Sequence, residues 1–294
     1  MHQPKPGAAR PADVTAFYTY QHPDEYYPDW RGYYEHALTA RSLLQDRFPH
    51  RLGVKYGDDP YQMANLYLPR REASGDAALI LYFHGGRWRE GHPDLYDALA
   101  TPWVESGAVF ASVGYRLEPE HTIADGVDDC IRAIAWAQSI APLHHADPNR
   151  LVVAGHSSGG HLAAMATLTD WAGSDADVLR SVVATICMSA PTDLRARGDI
   201  NADPVRLSPA LRITRAPSAV VVSYGDPEPN KKADSGTYLT EQGRLLVRAL
   251  DLFGANVYPV VLKGVDHLGS ATAFGDRRSP LFGQAREVIF GDRP

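Results

Sequence analysis

The chain has 294 residues, 44% hydrophobic and 22% charged, an ordinary globular balance with length for one large α/β domain or two small ones. Its net charge is −6 and its Lys and Arg are scattered, so no nucleic-acid or other polyanion partner is expected. No stretch nears the roughly 18 apolar residues of a membrane span, so no membrane partner is expected, and the opening MHQPKPGAARPADVT lacks the apolar run of a signal peptide.

Residues 1–12, rich in Pro, Ala and Arg, are expected to be disordered. Residues 17–34, FYTYQHPDEYYPDWRGYY, are dense in aromatics. Tyr18, Tyr20, Tyr26, Tyr27, Tyr33 and Tyr34 either pack this segment on the body or roof a pocket for an aromatic substrate. A helix is predicted through EHALTARSLLQDRF (35–48). Candidate strands follow at 52–57, 64–69, 78–83, 108–114, 150–155, 181–189, 218–224 and 256–262, short, β-branched or aromatic, and mostly bounded by Gly, Pro or Asp. Helical patterns fall at about 93–105, 124–140, 158–170 and 237–253, with a last helix at about 280–290. The first strands arrive close together, as hairpins do, and the later ones alternate with helices, as a parallel sheet requires. The predicted fold is a mostly parallel eight-stranded sheet with helices on both faces. Residues 1–50 form an N-terminal extension and helix, part of or covering the main domain at 51–294. The connection 191–217 is long, and such connections often cover a site.

RLVVAGHSSGGHLAAMATL reads as a buried strand, a tight turn and a helix. Ser157 fits G-x-S-x-G between Gly155 and Gly159, whereas the same frame on Ser158 would need glycine at 156, where His156 stands. A nucleophile on so sharp a turn needs neighbours without bulk at both sides. Ser158 then offers its backbone N–H to developing negative charge at the helix N-terminus. His84-Gly85-Gly86 ends an earlier strand, and consecutive glycines let N–H groups approach a reacting carbonyl. Gly85, Gly86 and Ser158 are thus the candidate oxyanion hole.

A serine hydroxyl needs a base. The one histidine after residue 161 is His267, just beyond the last strand, where it can swing over the sheet edge to Ser157. Its acid partner should follow the penultimate strand in SAVVVSYGDPEPN, where Asp226 and Glu228 compete; Asp193 is a third candidate. Trp88 either lines the acyl or aryl pocket or packs in the core. Arg87 either meets a substrate carboxylate or faces solvent or an ion-pair partner. His156 is expected to pack beside the turn, with a direct catalytic role as the alternative, and His161 to pack against the H-G-G loop. Glu118 and His121 are expected to stabilise the loop after a strand.

HGGRW (84–88), VGYRLEPEH (113–121), DPNRLVVAGHSSGGHLAAM (147–165) and VKYGDDPYQMANLYLP (54–69) resemble the α/β-hydrolase superfamily. More narrowly they are similar to its hormone-sensitive-lipase and carboxylesterase branch, which includes the arylformamidase (kynurenine formamidase) group. The resemblance runs from about residue 35 to the C-terminus. It implies that the acid lies three positions after the glycine ending its strand, here Gly225, which favours Glu228 over Asp226. It further implies a serine hydrolase that cleaves a small ester or aryl formamide through an acyl-enzyme, with no metal or organic cofactor and with a homodimer as an option. The same residues also serve biosynthetic enzymes that cyclise, transfer acyl groups or eliminate, since water exclusion decides between these outcomes; a catalytically dead binding module is the third class. Cys130 and Cys187 fit no C-x-x-C or zinc pattern, which points to buried thiols in a reducing, cytoplasmic setting.

Overall fold

All eight predicted strands form in the computed structural model, which describes residues 30–70, 75–171, 176–198, 202–229 and 236–291. The expected disorder of residues 1–12 and the expectations for Tyr18, Tyr20, Tyr26 and Tyr27 lie outside the described residues. The strands are β1 (His50–Lys55), β2 (Met63–Tyr67), β3 (Ala77–Phe83), β4 (Val109–Val113), β5 (Ala146–His156), β6 (Val182–Met188), β7 (Ala219–Asp226) and β8 (Val257–Lys263). They make one sheet in the order β1-β2-β4-β3-β5-β6-β7-β8. β1 pairs antiparallel with β2, and β2 with β4; every later pairing is parallel.

The helices are α1 (Trp30–Arg47), α2 (Thr101–Glu105), α3 (Ile123–Ile140), α4 (Ser158–Leu168), α5 (Ala176–Arg180), α6 (Tyr238–Phe253), α7 (His267–Thr272) and α8 (Pro280–Phe290). Alternation along the strands turns successive side chains to opposite faces of the sheet, each covered by helices. In β3, Ile80 and Tyr82 face a core closed by α1, α2 and α8, while Leu79, Leu81 and Phe83 face one closed by α3 and α4. Aromatic side chains such as Trp103 and Phe282, fully or nearly buried between α2 and α8, contribute roughly 1.5–3 kcal/mol each. Every residue of α4 is buried, which suits a helix built from Gly, Ala, Leu and Met and covered on all sides. Among the described residues, no helix is long and apolar enough to cross a membrane.

The helix predicted over 93–105 is broken. Two 3₁₀ turns, Pro93–Leu95 and Asp97–Ala100, precede α2. Asp94 and Asp97 are drawn inward from these turns. Asn65 donates to both, and Arg41 of α1 lies 2.7 Å from Asp97 and 3.4 Å from Asp94. Burial and the neighbouring Asp94 push Asp97 up to about 6. α1 begins at Trp30, five residues before the predicted start, because Trp30 and Tyr34 belong to the buried core.

Candidate active site

β5 ends at His156 and α4 begins at Ser158, so Ser157 alone makes the turn, at φ 54°, ψ −122°. A side chain in this region costs about 1–3 kcal/mol and persists only where the surroundings enforce it. Here the Ser157 N–H donates to the Met188 carbonyl at 2.8 Å. A Cβ on Gly155 would overlap the Gly159 carbonyl, and one on Gly159 would overlap the carbonyls of Phe83 and His84. Strand and helix are therefore as close as the G-x-S-x-G spacing requires. Ser158 sits at the first position of α4, where backbone N–H groups have no partner within the helix.

Pairing of Phe83 with Gly155 brings the end of β3 level with this turn. The His84-Gly85-Gly86 loop therefore lies beside Ser157: a Cβ built on Gly85 would stand 3.2 Å from the Ser157 Cβ. Several contacts fix the loop. The His84 Nδ1–H donates to the Gly85 carbonyl at 2.8 Å, and Tyr115 donates its hydroxyl to the His84 carbonyl at 2.8 Å and stacks on its ring at 4.5 Å. Burial pushes His84 down to about 3, so it is neutral. Gly86, at φ 136°, accepts from both Arg89 and Glu90 N–H groups, folding the loop back on itself.

Trp88 is 2% exposed, and of its two readings its contacts favour packing. Its indole N–H donates to Nδ1 of His161 at 3.2 Å, and His161 Nε2–H donates to the Leu207 carbonyl at 2.7 Å. The Arg197 guanidinium lies 5.1 Å over the indole. Leu207 and Arg197 belong to the long connection 191–217, which thus leans on the glycine loop through Trp88 and His161. Glu118 accepts from Arg89 at 3.2 Å, and its N–H donates to the Trp88 carbonyl, while His121 pairs with Asp59, so both stabilise the loops around Trp88 and β2. Arg87 is partly exposed at φ 55°, and its charge bears on Glu90. Glu90 is buried with Oε2 unpartnered, and burial pushes its carboxyl up to about 8.

His267 heads α7, capped by Asp266, whose carboxylate accepts from the Gly269 N–H at 2.6 Å. His267 Nδ1–H donates to Oε1 of Glu228 at 2.7 Å, leaving Nε2 as the nitrogen able to take a proton. Glu228 is fully buried, and its Oε2 accepts from the Ser189 hydroxyl at 2.7 Å and the Gly225 N–H at 2.5 Å. Asp226 points elsewhere, to Arg244 at 2.7 Å on the surface, and Asp193 pairs with Arg195. The structure thus brings Glu228 to His267 and leaves the other two carboxylates apart. The His156 ring, next to Ser157, lies 4.4 Å from the His267 ring, which sets His267 beside the serine turn.

Two contributors, Ser189 and Tyr115, escaped sequence reasoning. Ser189, in left-handed backbone at φ 47°, ends β6 and reaches Glu228; a polar residue closing an apolar strand was its only signal. Tyr115 braces the glycine loop from a motif that gave it no role. Tyr33 of α1, which the sequence offered as packing or as a pocket roof, sits near Asp266 beside His267, and burial and that carboxylate push its phenol up. Tyr34, by contrast, packs inside, its hydroxyl 3.3 Å from that of Tyr96. Among the described residues no cluster of three or more His, Cys, Asp or Glu could hold a metal.

The chain is similar to known proteins to different extents. The chain is 32% identical to the esterase LipC of Mycobacterium tuberculosis over 50% of its own length and 37% of LipC. It is 34% identical to kynurenine formamidase of Danio rerio over 53% of its length and 50% of that enzyme. The match therefore spans half or less of these relatives. In three dimensions it is similar to a crystal structure of a proposed thioesterase from Silicibacter sp., with a TM-score of 0.73, 25% identity, and coverage of 89% of this chain and 95% of that one. Residues 80–226, half of the chain, match the family described by the alpha/beta hydrolase fold. With this match over half of its length and its eight-stranded, mostly parallel sheet, the chain belongs to the α/β-hydrolase fold family.

Proposed function

We propose that this chain is a serine hydrolase that cleaves a small carboxylic ester or aryl formamide through an acyl-enzyme. Ser157 is the nucleophile, His267 the general base and Glu228 the acid that orients it. The observation that carries this reading is the His267–Glu228 hydrogen bond at 2.7 Å, set against the strained Ser157 turn. His267 Nε2 takes the serine proton as Oγ attacks the carbonyl, and Glu228 stabilises the imidazolium that forms. N–H groups of Gly85, Gly86 and Ser158 hold the tetrahedral oxyanion. The imidazolium then protonates the leaving alcohol or amine, and water, deprotonated by the same nitrogen, releases the acid.

Relatives named esterase and kynurenine formamidase support both substrate classes. They differ in the acyl pocket, which for a formyl group need hold only a hydrogen. The free, buried thiols of Cys130 and Cys187 suit a reducing, cytoplasmic setting. The test is labelling by a fluorophosphonate, followed by a panel of p-nitrophenyl esters beside N-formyl aryl amines, with Ser157→Ala as control. Label and turnover in the native protein, both lost in Ser157→Ala, are expected. Absence of label on the native protein, while a known serine esterase is labelled alongside, rejects the reading.

A further inference from the structure

His156 takes no step in that reaction, yet it touches three parts of the site. Its Nε2 lies 2.9 Å from the His267 carbonyl and 3.1 Å from the Ser270 hydroxyl. Ser270 already donates its own proton to that carbonyl at 2.6 Å. A carbonyl can only accept, so the hydrogen sits on His156 Nε2 and Nδ1 is bare. Bare Nδ1 is buried without a hydrogen-bond partner and faces the glycine loop: a Cβ at Gly85 would lie 2.9 Å from it. Burial and the neighbouring His267 push His156 well below the usual histidine range, so a neutral ring stands beside the base.

His267 is held at its ring by Glu228 and at its main-chain carbonyl by Ser270 and His156. Glu228 fixes only its ring, and α7 behind it has six residues. We propose that His156 is a positioning residue: its Nε2–H anchors the main chain of His267 to the end of β5, directly before Ser157. Nucleophile and base are then tied through adjacent residues at the end of β5 and the turn after it, and the ring fills the space between the base and the glycine loop. This rests on the serine-hydrolase reading given above.

The experiment compares His156→Phe, which keeps a ring but no donor, with His156→Gln, whose amide restores an N–H. Because displacing a reacting group by about 1 Å costs about 100-fold, His156→Phe should lower kcat on a p-nitrophenyl ester by about 10–100-fold with KM little changed. His156→Gln should recover most of that loss, while the two variants melt alike. Wild-type kcat in His156→Phe, or an equal loss in both variants, overturns the proposal. If the native protein takes no fluorophosphonate label, the hydrolase reading fails separately. In that case, or if His156→Phe does not fold, ¹⁵N shifts of the His156 ring in the native protein decide. A neutral ring with hydrogen on Nε2 supports the anchor; a proton on Nδ1 overturns it.

Discussion

Ser189 holds Glu228 by the carboxylate oxygen that His267 does not use, donating its hydroxyl to Oε2 at 2.7 Å. A hydrogen bond to a charged group is worth about 1.5–3 kcal/mol, and part of it here sets the angle at which Glu228 meets the imidazole. Ser189→Ala should therefore lower kcat about tenfold and leave KM unchanged. Steady-state kinetics on one ester checks this, and an unchanged kcat would remove Ser189 from the site.

The two carboxylates two residues apart should separate cleanly. Glu228→Gln keeps the shape but loses the charge that favours imidazolium, so kcat should fall by about 10³–10⁴. Asp226→Asn removes only a surface pair with Arg244, worth about 0–1 kcal/mol, and should leave turnover near wild type. The reverse ranking would transfer the acid role to Asp226.

Glu90 gives a pH dependence of stability with a definite sign. Its folded pKa of about 8 lies above its ordinary 4.5, so between these values the folded state keeps a proton that the unfolded state releases. Stability therefore falls as pH rises through that window, by at most about 1.4 kcal/mol per unit. Glu90→Gln needs no such proton. Its advantage over wild type in thermal melts should be near zero at about pH 4.5, grow to about pH 8 and then level off. A gap independent of pH contradicts this account.

Two glycines should respond to alanine with opposite signs. At Gly159 the new Cβ meets the rigid carbonyls of Phe83 and His84, so Gly159→Ala should cost about 1–3 kcal/mol or more and reduce labelling of Ser157. Gly283 lies within α8 with nothing near its Cβ position, so Gly283→Ala should stabilise by about 0.5–1 kcal/mol. Differential scanning calorimetry of the two variants measures both effects.

The parts of this molecule legible in its sequence are those governed by local pattern. The apolar runs that became β3, β6 and β7 are buried almost end to end and β5 is buried from Leu151 on, and the glycines around Ser157 are demanded by contacts within a few residues or one strand away. Glu228 was favoured over Asp226 by resemblance; spacing alone left both open, because the choice depends on a turn that sends one side chain inward and the other to Arg244. The helix pattern at 93–105 misled because Asp94 and Asp97 look like polar surface positions, whereas Arg41 and Asn65 draw them into the interior. Ser189 and His156 gained their roles from partners 39 and 111 residues away, a separation that no window of sequence reports.

β8 delivers His267, but it is also the last strand of the sheet. Its neighbour β7 is buried at every position except the last, whereas β8 alternates, exposing Pro259, Val261 and Lys263. A proline and a lysine on an edge strand discourage pairing with other chains. Were β8 to detach, β7, apolar through Ala219–Val222, would become the open edge, a template for aggregation. The strand that leads to His267, the proposed base, is thus also the guard against self-association, and substitutions that loosen it should cost solubility and turnover together.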